Sequence, residues 1–323
     1  MKPVIFGCSG LALTGPERDF FARVDPFGFI LFQRNCETPE QVAQLTQELR
    51  VCVGRPDAPV FIDQEGGRVA RLKPPHWPAL SALRPIGALY EQDPQAGIAA
   101  MAAHARQTAE MLHGLGINGN CSPVLDLYIE GASSAIGDRA ISRDPAVVAA
   151  LGAVIIENFL AQGVLPVVKH LPGHGRVKVD PHLALPTVDA DAATLAAEDF
   201  RPFVALKDAP IGMNCHVLFT ALDSQQPVSL SAKIHRDVIR GAIGFDGLLF
   251  SDDLAMKALA ASLPQRAAKA LAAGADILLY CTGALAEMAD IARDLPPVSD
   301  AARERWEAAK SRLRVPATAI ADA

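Results

Sequence analysis

The stretch Leu165-Pro166-Val167-Val168-Lys169-His170-Leu171-Pro172-Gly173-His174 runs from a short apolar segment straight into a lysine and a histidine, then into proline and glycine. An apolar run of this length bounded by turn residues reads as a buried strand, and Pro172 with Gly173 prevents a helix from following directly. On its amino side lies a helical pattern, Ala146 to Gln162, with Asp144-Pro145 to start it and Gly163 to stop it. On its carboxyl side come a second helical pattern, Ala192 to Leu206 behind the cap Asp191, and a second apolar run, Ile211 to Asn214. Strand, crossover helix and strand in this order are the unit of a parallel sheet.

The same alternation extends to both ends of the chain. Apolar runs fall at Val4 to Gly7, Gly28 to Phe32, Val60 to Asp63, around Asn118 to Leu125, Leu165 to Lys169, Ile211 to Asn214, Leu248 to Ser251 and Ile277 to Tyr280. Further helical patterns occupy Pro39 to Val53, Gly97 to Leu115, Ala232 to Ile243, Pro264 to Ala273 and Ala284 to Asp294, the last with Gly244 and Gly274 as stops between them. Eight such units predict a single (β/α)8 barrel of the TIM type spanning residues 1–323, with an additional C-terminal helix at about 299–314 packed outside it. Pro-rich Leu72 to Pro85 reads as a loop after the third strand, and neither an internal repeat nor a linker divides the chain.

Composition agrees and excludes several function classes. Of 323 residues, 50% are hydrophobic, enough for a large core, so a disordered or disulfide-stapled chain is excluded. Thirty Lys and Arg against thirty-six Asp and Glu give a net charge of -6, without the basic footprint of a nucleic-acid binder. No apolar run is long enough for a membrane span, and the opening segment Met1 to Cys8 is too short for a signal sequence, so a cytoplasmic protein free of membrane and nucleic-acid partners is expected. The six cysteines are scattered singly, without paired zinc-ligand spacing or disulfide density, and read mostly as small buried residues.

A barrel of this kind carries its chemistry at the carboxyl ends of its strands. There the sequence places Asp63, Asp126, Lys169, His170, Asn214, His216 and Asp252. Three of the eight histidines, His170, His174 and His182, lie between positions 170 and 182 with Asp180-Pro181 among them. An Asp two residues before a His suits a tuned proton donor, because the carboxylate supports the imidazolium and fixes its tautomer. The same three histidines also fit a metal site. In Phe250-Ser251-Asp252-Asp253-Leu254 an apolar strand meets two acids, which suit a nucleophile, a metal ligand or a helix cap. Asp63-Gln64-Glu65-Gly66-Gly67-Arg68 carries a glycine pair but no phosphate-loop spacing.

Taken together, Ile62-Asp63-Gln64-Glu65-Gly66-Gly67-Arg68-Val69, Lys169-His170-Leu171-Pro172-Gly173-His174-Gly175, Asp180-Pro181-His182 and Phe250-Ser251-Asp252-Asp253-Leu254-Ala255-Met256 resemble the family 3 glycoside hydrolases. Within that family the likeness is to the bacterial β-N-acetylglucosaminidases of peptidoglycan recycling. Leu171 and Pro181 depart from the Phe and Ser more usual there. The resemblance implies a single-domain cytoplasmic enzyme, without metal or other cofactor, that acts on a small glycoside, and a monomer is expected. It implies Asp252 as nucleophile and the Asp180/His182 pair as acid/base, with Asp63, Arg71, Arg139, Lys169 and His170 holding the terminal sugar. His174 is expected to shape its loop, and His216 either touches substrate or makes a structural hydrogen bond. His76, His104, His113 and His235 read as surface or packing residues.

Two rival readings make different demands on the sequence. A metal-dependent barrel hydrolase built on His170, His174 and His182 needs further ligands at the first strand, and Phe6-Gly7-Cys8-Ser9-Gly10 offers no H-x-H pair. A sugar-binding barrel without catalysis would lack the nucleophile or the dyad, whereas Asp252, Asp180 and His182 are all present.

Overall fold

The computed structural model describes residues 1–178 and 185–314. Ten strands occur among them: β1 (Lys2–Gly7), β2 (Pro26–Leu31), β3 (Val60–Ile62), β4 (Gly119–Asn120), β5 (Leu165–Leu171), β6 (Thr187–Val188), β7 (Ile211–Asn214), β8 (Leu218–Phe219), β9 (Leu248–Asp253) and β10 (Ile277–Tyr280). Eight close into a parallel barrel in the order β1-β2-β3-β4-β5-β7-β9-β10, with β10 pairing back to β1, while β6 and β8 form a small ladder beside it. The (β/α)8 barrel read from the alternation is the observed fold, with β7 and β10 at the predicted residues.

The barrel is a packed core. Phe61 of β3 and Phe27 of β2 both meet Phe250 of β9, with ring centroids 5.2 and 6.4 Å apart. Neither β2 nor β3 neighbours β9 in the sheet, so the rings meet through the interior. Gly119 of β4 has its use here, since a Cβ at that position would enter the Phe61 ring. Edge-on aromatic contacts of this kind contribute about 0.5–1.5 kcal/mol each beyond the area they bury.

The C-terminal helix Asp300–Ser311 closes the end of the barrel remote from the strand termini that carry chemistry. Its Trp306 stacks edge-on against Phe27 near the start of β2, at 4.9 Å. Its Arg305 reaches Asp246 and Asp276, which immediately precede β9 and β10.

Several elements differ from the sequence reading, and the helix Leu83–Gln92 begins inside the stretch read as a loop. The run Asn118 to Leu125 pairs as a strand only at Gly119–Asn120, with an isolated bridge at Val124, because Pro123 between them has no N–H to donate. The helix expected over Ala192 to Leu206 is two short helices, Ala192–Ala197 and Arg201–Ala205. Between them Asp199 turns inward to accept from Arg176 Nε at 2.6 Å, and Glu198 binds the same guanidinium. The pattern Ala232 to Ile243 gives one α turn and then a π-helix, His235–Ala242, in which Ile243 N reaches Val238 O at 2.8 Å. The helix Gly15–Val24, between β1 and β2, adds to the patterns read from the sequence, and its signal is present there. Thr14 and Glu17 form a complete capping box at its start.

His235 is buried, 3% exposed, and takes a hydrogen bond from Asn214 Nδ2 at 3.1 Å. Burial pushes its imidazole down to about 4. The unfolded chain therefore binds a proton here that the fold does not, and the stability associated with neutral His235 is lost as pH falls from about 6.5 to about 4. His235→Gln keeps an acceptor for Asn214 without a titrating ring. Urea denaturation should show a shallower loss of stability than the wild type between pH 6.5 and pH 4.5, and parallel curves would refute this account.

Candidate active site

Above the phenylalanine layer the strand ends supply a polar floor. β5 contributes twice, and its register explains how. Lys169 pairs with Met213 and Leu171 with Asn214, so His170 is an extra residue in the ladder. This irregularity breaks the two-residue alternation and lets adjacent side chains turn to the same face. Lys169 Nζ lies 2.9 Å from Asp63 Oδ1 and 2.7 Å from Glu65 Oε1. His170 Nδ1 lies 2.6 Å from Asp126 Oδ2.

Around Lys169 the charges interlock. Arg71 Nη2 donates to Asp63 Oδ2 at 3.1 Å, and Arg139 grips Glu65 with two bonds of 2.8 Å. Burial alone would raise the Asp63 and Glu65 carboxyls. Lys169 and Arg71 outweigh it at Asp63, which is held well below the ordinary carboxylate range, and Lys169 with Arg139 brings Glu65 down to about 2. Burial likewise disfavours the Lys169 ammonium, but the two carboxylates hold its affinity for the proton above the usual value. All three groups are ionised at neutral pH. Asp63, Arg71, Arg139, Lys169 and His170 are thus brought to one place; the strand-end pattern put Asp63, Lys169 and His170 there, and Arg71 and Arg139 were implied by the family resemblance alone.

Two members of this group have no role assigned by the sequence, although Asp126 stands among its strand-end residues. Glu65 joins Lys169 to Arg139, and Asp126 organises the loop after β5. Asp126, with no exposed surface, accepts from His170 N at 3.2 Å, His174 N at 2.7 Å and His170 Nδ1. Its carboxylate therefore fixes both the backbone of the Lys169 to His174 turn and the orientation of the His170 ring, whose Nε2 has no hydrogen bond among the described residues. The only sequence signal for either residue is position, a carboxylate at or just beyond a strand end.

Asp252 lies near the end of β9. Its Oδ1 accepts the Asp253 amide at 2.8 Å, and no hydrogen bond to Oδ2 occurs among the described residues. Burial would raise the carboxyl, yet the imidazoles of His216 and His170 and the Asp253 amide hold it below its ordinary value. The neighbouring Asp253 shows the opposite balance, since burial and the charge of Asp252 bring it up to about 6. Two adjacent carboxyls are thereby separated into one ionised at the end of β9 and one turned to the backbone amides of Ala255 and Cys281.

His216 has both ring nitrogens occupied within the protein, Nδ1 by Ser229 Oγ at 2.8 Å and Nε2 by the Asp253 carbonyl at 3.0 Å. Of the two roles open to it in the sequence, this geometry is that of a structural hydrogen bond that anchors the end of β9. His174 packs 5.5 Å from the His170 ring, and burial together with His170 pushes its imidazole down to about 4, so it is neutral near pH 7. Asp180 and His182, the expected acid/base pair, lie outside the described residues. Among the described residues no three His, Cys, Asp or Glu side chains gather in a metal-holding group.

A parallel barrel whose mouth holds an ionised strand-end carboxylate beside a ring of fixed cations, carboxylates and imidazoles defines a barrel hydrolase built for a polyol. The chain belongs to glycosyl hydrolase family 3, whose N-terminal domain profile matches residues 23–313. A beta-hexosaminidase of Chromobacterium violaceum is 38% identical over 316 residues, covering 96% of this chain and 87% of that protein. One from Bordetella avium is 35% identical over 312 residues, covering 93% and 87%. Among solved structures, NagZ from Neisseria gonorrhoeae superposes with a TM-score of 0.88 at 30% identity, over 99% of this chain and 92% of its own. A second structure of that protein, in complex with N-trifluoroacetyl-D-glucosamine, gives 0.87 at 30% identity over the same shares. The chain is a glycoside hydrolase, a β-N-acetylhexosaminidase, and no helix among its described residues is long and apolar enough to cross a membrane.

Proposed function

We propose that the protein is a retaining, exo-acting β-N-acetylglucosaminidase that removes a non-reducing terminal β-linked N-acetylglucosamine from muropeptide fragments in the cytoplasm, working as a monomeric single-domain barrel without a metal. The observation that carries this reading is Asp252: an ionised carboxylate at the barrel mouth whose second oxygen has no hydrogen bond among the described residues. The neighbour bound to N-trifluoroacetyl-D-glucosamine supports the sugar assignment.

In the proposed reaction Asp252 Oδ2 attacks the anomeric carbon while the bond to the leaving oxygen breaks, and His182, supported by Asp180, gives that oxygen its proton. A glycosyl ester on Asp252 results. His182 then takes a proton from water, the water oxygen attacks the anomeric carbon, and the ester bond breaks to restore the carboxylate; two displacements retain configuration. Arg71, Arg139, Lys169, Asp63 and His170 hold the sugar. Cationic donors and a carboxylate acceptor suit vicinal hydroxyls, and the salt links between them fix their positions before substrate arrives.

Hydrolysis of a chromogenic N-acetyl-β-D-glucosaminide, with and without chelator, tests the reading. Activity unchanged by chelator is expected; loss with chelator would support a metal enzyme on His170, His174 and His182, and no activity at all would support a sugar-binding barrel. His182→Ala should lower kcat on substrates with poor leaving groups by roughly 10²- to 10⁴-fold and spare those with acidic leaving groups, because only the former need the proton. Equal damage to both classes would remove His182 from the role of acid.

A further inference from the structure

β2 ends in a short turn, Phe32-Gln33-Arg34-Asn35-Cys36, that no part of the reaction above uses. It is fastened firmly. Phe32 N donates to Asn35 Oδ1 at 2.9 Å, and Asn35 Nδ2 in turn donates to the carbonyls of Cys8 and Gly10 at 3.1 and 2.8 Å. Arg34 bridges the carbonyls of Cys8, at 3.0 Å from Nε, and Cys281, so the turn buckles the ends of β1 and β10 where the barrel closes. The backbone of the turn is thereby tied to the seam of the barrel.

The Phe32 ring that opens the turn packs against two guanidinium groups. The Arg71 guanidinium carbon lies over Phe32, 5.0 Å from the ring centroid, and the Arg34 guanidinium carbon lies 5.0 Å from the same ring. Arg71 bonds Asp63 through Nη2 alone, while its Nε is buried without a hydrogen-bond partner. A buried charged donor left unpaired is costly, and the negative face of an aromatic ring is a group that offsets it. A guanidinium held flat by one carboxylate bond and one ring face has its remaining nitrogen pre-aimed, so substrate need not order it.

We propose that Phe32 is a positioning residue for substrate recognition, holding Arg71 over Asp63 in the orientation that meets the hydroxyls of the terminal sugar. The proposal rests on the assignment of Arg71 to sugar binding. Steady-state kinetics on the chromogenic glycoside, with thermal midpoints, should be measured for Phe32→Leu, Phe32→Tyr, Arg71→Ala and the Phe32→Leu/Arg71→Ala double variant. Phe32→Leu is expected to raise KM by roughly three- to thirty-fold with kcat within about twofold, and Phe32→Tyr to restore KM. In the Arg71→Ala background Phe32→Leu should add nothing, because its partner is gone. A ring that merely filled space would act additively with Arg71→Ala, and additivity, or a fall in kcat at constant KM, overturns the proposal. If Arg71→Ala itself leaves KM unchanged, the proposal falls together with the assignment of Arg71, and the two failures are thereby told apart.

Discussion

Asp252→Asn is expected to lower kcat on the order of 10⁴-fold while leaving the thermal midpoint where it is. The size follows from what the side chain is asked to do. A neutral amide cannot form the glycosyl ester, and a four-decade loss corresponds to about 5.5 kcal/mol of barrel-assisted barrier lowering at about 1.4 kcal/mol per decade. Stability is spared because the side chain's one hydrogen bond among the described residues, from the Asp253 amide to Oδ1 at 2.8 Å, is one that an asparagine carbonyl accepts equally well. Loss of charge at Asp252 also removes the negative neighbour that helps raise Asp253, so Asp253 should titrate closer to the ordinary carboxylate range in the variant. The measurement is kcat on a chromogenic N-acetyl-β-D-glucosaminide beside a melting curve. More than a few per cent of residual turnover would sink the assignment of Asp252 as nucleophile.

The parts of this molecule legible in its sequence are those set by local periodicity. Ile211–Asn214 and Ile277–Tyr280 are apolar, flanked by turn residues, and form strands at the residues read from the pattern. Once they and their companions are counted, the barrel rule places Asp63, Lys169, His170 and Asp252 at one mouth, and the structure puts them there. What local pattern could not supply is partnership. Glu65 is two residues beyond Asp63 in the chain, yet its role comes from Arg139, which the fold brings from 74 positions away. Asp126 was visible only as an acid after a strand; that it holds the backbone of both His170 and His174 depends on a turn 44 to 48 residues later. The broken helix at Glu198 and Asp199 has the same origin, since a helical run there gives way to two long-range bonds to Arg176. Tertiary partners overrode propensity wherever a buried charge had to be matched.

Lys169→Met carries the largest expected effect on stability. Lys169 is 2% exposed, and among the described residues its ammonium is the one group that bonds both Asp63 and Glu65. Methionine preserves most of the volume but none of the charge, so packing is largely kept while two buried carboxylates face each other with one cation fewer between them. Breaking a buried ion pair by removing one partner costs about 3–5 kcal/mol, and since Asp63 keeps Arg71 and Glu65 keeps Arg139, the lower end of that range is expected. The cost must also depend on pH in a definite direction. In the wild type both carboxyls are held below their unfolded values, Glu65 at about 2, so their contribution is fully present above about pH 4.5 and is lost as pH falls. Without Lys169, burial and mutual repulsion raise them above their unfolded values, so the folded variant gains from protonation already between about pH 7 and pH 4.5, where the wild type does not. The deficit of Lys169→Met should therefore be widest near pH 7 and narrow towards pH 4.5, as read from urea midpoints at the two pH values. A deficit that stays constant with pH would mean that the lysine stem, and not its charge, supplied the stability. No deficit at all would mean that Arg71 and Arg139 suffice to neutralise the floor of the site.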